Sequence, residues 1–176
     1  NEAKKYKAIE PFKRPKSLAG DYISTKDVVK HAIVWLSKNL RKPSRVCCVY
    51  PTAVLLTLSD LKKSFIKFKS NKYDYLFSAT KYPHPIQRSF YINRDKIKMS
   101  NKKNFYKRTQ DLKDYYYDIG QFYWGKSNAW LNNKIIFDKN SAIQIIPNHR
   151  AQDIDDLQDW KFVEKLFLIN KETINK

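Results

Sequence analysis

Arg45-Val46-Cys47-Cys48-Val49-Tyr50 is the stretch whose reading decides the fold. It is a short apolar run between Pro43 and Pro51, which fits a strand buried on both faces. Before it, Ser24 or Thr25 supplies an N-cap, and Val28, Val29, Ala32, Ile33, Trp35 and Leu36 form one apolar stripe to about Asn39, the pattern of an amphipathic helix. After it, a loop from Pro51 leads to Ser59, which caps a second helix carrying Leu61, Phe65, Ile66 and Phe68, and Tyr75 to Thr80 reads as the next strand. Helix, strand, helix, strand in sequence is the α/β pattern, and it predicts a mostly parallel central sheet with helices on both faces.

Outward from this block the pattern loosens. Asn1 to Gly20 is irregular, with Pro11 and Pro15 breaking any helix. Beyond Thr80, Tyr82-Pro83-His84-Pro85 is a kinked connector. Ile86 to Ile92 reads as a strand with Gln87 and Ser89 on one face, and Ile97 to Gln110 as a Lys- and Asn-rich exposed excursion. Tyr116 to Trp124 is the densest aromatic run, and Gly120 within it marks a close backbone or ligand approach. Ser127 to Leu131 reads as a short helical turn and Ala142 to Ile146 as a strand. Leu157 to Leu168 is a final helix with Trp160, Val163, Leu166 and Phe167 buried. No repeat or low-complexity linker divides the 176 residues, so one domain is expected.

Composition narrows the partners. The net charge of +18 favours anionic ligands. Most of the 35 basic residues, however, are lysines scattered among Asn, Ile and Tyr, with no dense stripe, and the aromatics lie in apolar runs instead of alternating with them. No nucleic-acid partner is therefore expected, and a basic nucleic-acid-binding module remains a rival reading. Cys47 and Cys48 are adjacent and on a strand face opposite ways, so no framework disulfide is expected and a reducing, cytoplasmic setting is the default. No run approaches the ~18 apolar residues of a membrane span, and no signal peptide opens the sequence. Its only methionine is Met99, which leads to the expectation that the sequence is not the whole translated product.

Ala151-Gln152-Asp153-Ile154-Asp155-Asp156-Leu157-Gln158-Asp159-Trp160 places four aspartates within seven residues of a basic chain. In an extended segment, Asp153 and Asp155 point to one side with Ile154 turned inward, a seat for a hard cation such as Mg²⁺. The same aspartates also read as the start of the following helix, where negative charge is favoured. Spacing alone leaves both readings open. His31, His84 and His149 have no metal-ligand spacing, there is no nucleophile elbow, and the three glycines (Gly20, Gly120, Gly125) form no phosphate loop.

Taken in order, several segments resemble the cytidylyltransferases that activate nonulosonic acids, the acylneuraminate and pseudaminate CMP-sugar synthetases. They are Arg14-Pro15 with Asp21 and Ser24-Thr25; Tyr50-Pro51-Thr52-Ala53; Phe77-Ser78-Ala79-Thr80 leading to Pro85-Ile86-Gln87-Arg88; Gln110-Asp111-Leu112; Asp118-Ile119-Gly120-Gln121-Phe122-Tyr123-Trp124-Gly125; and Gln152-Asp153-Ile154-Asp155 with Asp159-Trp160. The resemblance covers nearly the whole chain and leans to the pseudaminate branch.

This resemblance implies a Rossmann-like nucleotide-diphospho-sugar transferase fold and transfer of CMP from CTP to the anomeric hydroxyl of a nonulosonic acid, with Mg²⁺ and release of pyrophosphate. It assigns Arg14 and Ser24 to the cytosine and ribose pocket, and Pro51, Thr52 and Ala53 to the loop beside the reacting phosphate. Gln87, Arg88, Gln110, Gln121, Phe122 and Tyr123 fall to the sugar pocket, and Asp153 and Asp155 to the metal. It also implies a homodimer paired through an arm within residues 82–117. Three departures bear on this. The family's opening strand and A-R-G-G-S-K-R-type phosphate loop have no counterpart, so this chain alone is expected to bind CTP poorly and turn over slowly or not at all; a truncated, inactive remnant is the rival reading. Val54 stands where the family's turn has proline, and Tyr50 where sialate enzymes often have glutamine.

Overall fold

The computed structural model describes residues 2–70 and 72–174. In chain order the elements are helices α1 (Glu2–Lys5) and α2 (Thr25–Asn39), strand β1 (Arg45–Val49), α3 (Leu58–Lys69), β2 (Tyr75–Lys81), β3 (Phe90–Asn93), β4 (Lys96–Met99), β5 (Tyr116–Lys126), α4 (Ser127–Leu131), β6 (Ser141–Ile145) and α5 (Leu157–Ile174). They form two compact units. The first holds residues up to Val46 together with Gly125–Ile135; the second holds Cys47–Trp124 and the residues from Ile136 onward.

In the first unit, α2 begins where the sequence predicts. Ser24 is the N-cap, its hydroxyl oxygen accepting from the Asp27 N–H at 3.2 Å. The stripe buries Val29 and Ile33, α2 packs on α4, and Ala129 and Trp130 of α4 are buried. The Phe12 ring lies against His31 and Trp35, with centroids 5.2 and 5.0 Å away, which gives the otherwise irregular N-terminal segment an anchor.

In the second unit α3 starts two residues earlier than expected. Thr57, not Ser59, is the cap, because Asp60 stands three residues beyond it and returns a bond to the Thr57 N–H, completing a capping box. The four-stranded sheet has the order β1-β5-β2-β6. β2 and β6 are parallel, in a register from Tyr75 opposite Ser141 to Ala79 opposite Ile145. β5 runs against its neighbours: Tyr50 N–H donates to the Gln121 carbonyl and Ser127 N–H to the Ser44 carbonyl, while Tyr82 N–H donates to Tyr115. The fold class is therefore α/β, but the mostly parallel expectation is corrected to a mixed sheet. α3 is the crossover that makes β1 and β2 point alike, and the long segment after β2 brings the chain back in the opposite sense between them.

Phe68, Leu76, Ile119, Phe122 and Ile146 form the core of this unit, so α3 covers the sheet through Phe68. Two further expectations are corrected. Ile86 to Ile92 is not one strand. Pro85 leads into a single 3₁₀ turn over Ile86–Arg88, and Phe90 opens a separate hairpin, β3–β4, whose turn residues Arg94 and Asp95 take φ of 47° and 61°. On α5, Val163 is buried and Leu166 half-buried, but Trp160 and Phe167 remain about half exposed (55% and 48%), because the face the helix covers is narrower than its apolar content allows.

Candidate functional site

The acidic stretch divides its aspartates between two jobs. Asp156 caps α5, its Oδ1 accepting from the Gln158 and Asp159 N–H groups at 2.7 and 2.9 Å. Asp159 returns the bond through Oδ2 to the Asp155 N–H at 3.1 Å and the Asp156 N–H at 3.4 Å. The helix-start reading therefore holds for Asp156 and Asp159, and the capping role that Asp155 could share belongs to Asp156. Asp153 and Asp155 keep exposed side chains in a non-helical segment, and Ile154 between them turns toward Val54, Trp160 and Val163.

Asp153 faces the middle of β5. Gly120 there has φ +62°, and a Cβ at that position would stand 3.3 Å from Asp153 Oδ2. Glycine answers both demands, since the left-handed backbone and the close carboxylate each disfavour a side chain. Asp118 stabilises the same bend by accepting from the Gly120 N–H at 3.1 Å, and its other oxygen takes the Tyr123 hydroxyl. Burial first, and then that contact with Asp118, push the Tyr123 hydroxyl far above its ordinary value, so Tyr123 stays a neutral donor.

Next to Gly120, Gln121 is buried, and its Nε2 donates to the Arg150 carbonyl at 2.6 Å. Its Oε1 is buried without a partner. Arg150 in turn sends its guanidinium back to Asp60 in a two-pronged pair, 2.5 Å from Oδ2 and 3.2 Å from Oδ1. Burial raises the Asp60 carboxyl, but the bonds from Arg150 and Thr57 outweigh it and hold the group below its ordinary range. Thr80 donates to Asn148, tying the start of the same segment to the end of β2.

Pro51, Thr52 and Ala53 form a tight turn at the end of β1, with the Ala53 N–H on the Tyr50 carbonyl at 3.1 Å and the Val54 N–H on Thr52 at 2.8 Å. A separate cleft of about 370 Å³ is lined by Gln87 and Gln110 together with Lys81, His84, Thr109 and Asp114. Arg88 joins it through a bond from Nη2 to the Thr109 hydroxyl, and Gln87 is held by Nε2 on the Lys113 carbonyl at 2.5 Å. Thus Gln87, Arg88 and Gln110 are brought together, whereas Gln121 lies beside Asp153. Phe122 is wholly buried in the core, and the Tyr123 ring packs between Tyr50 and Phe77. Arg14 and Ser24 belong to the first unit, where Arg14 is exposed and Ser24 caps α2.

Among the described residues no three His, Cys, Asp or Glu side chains cluster as a metal cage. Two exposed carboxylates on one short segment nonetheless suit Mg²⁺, which is often held by one or two carboxylates plus substrate phosphates. Cys47 and Cys48 are free; burial, then the neighbouring Cys48, raises Cys47 to about 12, and burial raises Cys48, so both rest as unreactive thiols. Sequence reasoning missed Asp118, Arg150 and Asp60. Asp60 carries a local signal, the T-x-x-D capping pattern, and Asp118 another, the D-x-G spacing that lets its carboxylate meet the Gly120 N–H; the partners of Arg150 are set by β5 and α3 meeting the segment before the acidic run. No helix among the described residues is long and apolar enough to cross a membrane.

No family model matches the chain. A pseudaminic acid cytidylyltransferase of Campylobacter jejuni subsp. jejuni serotype O:2 is 41% identical over 172 residues, which is 97% of this chain and 74% of that protein. The protein of the same description from serotype O:23/36 is 40% identical over the same shares. A Helicobacter pylori protein described as a pseudaminic acid cytidylyltransferase and UDP-2,4-diacetamido-2,4,6-trideoxy-beta-L-altropyranose hydrolase is 34% identical over 155 residues, 88% of this chain and 29% of its own length.

Proposed function

The chain belongs to the pseudaminic acid cytidylyltransferase family, and we propose that it transfers CMP from CTP to the anomeric hydroxyl of a nonulosonic acid, pseudaminic acid, releasing pyrophosphate. The observation that carries this reading is identity to such enzymes along almost the whole chain. In the reaction the anomeric oxygen attacks the α-phosphorus, the bond to the bridging oxygen of the β-phosphate breaks, and the hydroxyl proton is lost. Such transfers depend mainly on positioning and charge neutralisation. Mg²⁺, when bound, supplies the neutralising charge on the triphosphate. Asp153 and Asp155 are its holders, and Gly120 leaves the room in which the Asp153 carboxylate lies.

The remaining roles follow the placement of the side chains. Pro51, Thr52 and Ala53 close the end of β1 beside the reacting phosphate. Arg14 and Ser24 serve cytosine and ribose. Gln87 and Gln110 line one cleft, and Arg88, held beside it on the Thr109 hydroxyl, meets the sugar carboxylate in a charged hydrogen bond of about 1.5–3 kcal/mol. Gln121 offers its unpartnered Oε1 to a substrate hydroxyl. Phe122 and Tyr123 act by packing behind that surface. The family's Rossmann-like arrangement fits β1, β2 and β6 running alike with β5 reversed. A cytoplasmic setting and a homodimer complete this reading; the exposed Phe90, Ile92 and Ile97 on the β3–β4 arm support the pairing of two subunits through that arm.

The test is pyrophosphate release from CTP, Mg²⁺ and pseudaminic acid. Release that needs all three, and that Asp153→Asn or Asp155→Asn lowers at least ~100-fold, is the expected result. A folded wild-type chain that releases none with pseudaminic acid or any other nonulosonic acid would instead be the inactive remnant.

A further inference from the structure

We propose that Arg150 is a positioning residue for the metal carboxylate Asp153, acting through the backbone that joins them. The inference rests on the metal-holding role assigned to Asp153 above. Two residues, Ala151 and Gln152, separate the two, and the chain between them is fixed at both ends. At the Arg150 end, the guanidinium grips Asp60 with two hydrogen bonds and also reaches the Leu55 carbonyl at 3.4 Å, while the Arg150 carbonyl takes the Gln121 amide at 2.6 Å. At the far end, Gln152 donates to Asp159 in the first turn of α5 at 3.1 Å. Ala151 packs against the core.

Gln121 directly follows Gly120, the residue against which the Asp153 carboxylate lies. The same two residues of β5 therefore set both the floor under Asp153 and the anchor on Arg150, so a shift of Arg150 moves Asp153 relative to Gly120. The side chains of Asp60 and Arg150 are only 9% and 14% exposed, far from what an ordinary surface ion pair would be. Asp60 is itself pinned by the capping box of α3. Helix α3 thus reaches the metal segment through one ion pair, a longer-range version of the outer partners that orient metal ligands elsewhere and whose loss costs about 10–100-fold in affinity or activity.

Binding of Mn²⁺ alone, followed by the free-ion electron spin resonance signal, tests this without turnover. Arg150→Lys keeps the buried charge but loses the two-pronged geometry. The double variant Asp60→Asn/Arg150→Gln removes both charges and leaves no unpaired one. Each folded variant should bind Mn²⁺ at least ~10-fold more weakly, and in pyrophosphate release the Mg²⁺ needed for half-maximal rate should rise while the rate at saturating Mg²⁺ largely recovers. Unchanged Mn²⁺ affinity in folded Arg150→Lys, alongside a loss in Asp153→Asn, overturns the positioning role and leaves the metal role standing. Unchanged Mn²⁺ affinity in Asp153→Asn overturns both.

Discussion

At the residue scale, one run of aspartates carries two kinds of work, and neighbours decide which. Asp156 and Asp159 face the orphan N–H groups of a helix start, while Asp153 faces a glycine and keeps its carboxylate open to solvent. Asp60 shows the opposite case, a carboxylate enclosed by Thr57 and Arg150. Its folded-state value lies below the ordinary 3.8, so the pair stabilises the fold fully above that value and the contribution is lost as pH falls through and below it. Urea unfolding between neutral pH and the acid range should show this loss, and Asp60→Asn should remove that part of the slope. Truncating one partner, as in Arg150→Met, leaves a buried charge and should cost about 3–5 kcal/mol.

At the element scale, β5 is the strand on which the site depends. It runs between β1 and β2, its Ser78-facing N–H groups both meet one buried hydroxyl, and its Gly120 bend points at the acidic segment. Its aromatic density reflects that central place: Phe122 and Ile119 fill the core, and Trp124 donates to buried Ser64 at 2.9 Å. The β3–β4 hairpin is the contrasting element, two four-residue strands with Phe90, Ile92 and Ile97 at 60%, 73% and 72% exposure. A two-stranded ribbon with so little covered surface is marginal alone. If it pairs two subunits, Phe90→Ser/Ile92→Ser/Ile97→Ser should turn a dimer in sedimentation velocity into a folded monomer; a wild-type chain that sediments as a monomer defeats the arm reading.

At the scale of the whole molecule, the charge of +18 acts on anything anionic, CTP and polynucleotide alike. The two respond differently to salt. A nucleic-acid binder would show oligonucleotide affinity that falls steeply between about 50 and 200 mM salt, whereas metal-dependent pyrophosphate release should persist; oligonucleotide binding of that kind without any such release would revive the nucleic-acid reading. Much of this molecule is written locally. The helices α2 and α3, the strands β1 and β2, and the aspartates before α5 follow from periodicity, capping residues and breakers, which act over a few neighbours. The ordered segments likewise identify the family and nominate Asp153 and Asp155. What no local pattern contains is the pairing of distant pieces. The reversed insertion of β5 is one such pairing; the hairpin formed where a single strand is expected, the half-exposed Trp160 and the ion pair from Asp60 to Arg150 are others. Each is decided by which surfaces meet once the chain has closed on itself, because burial and partnered charge are properties of that meeting and of no residue taken singly.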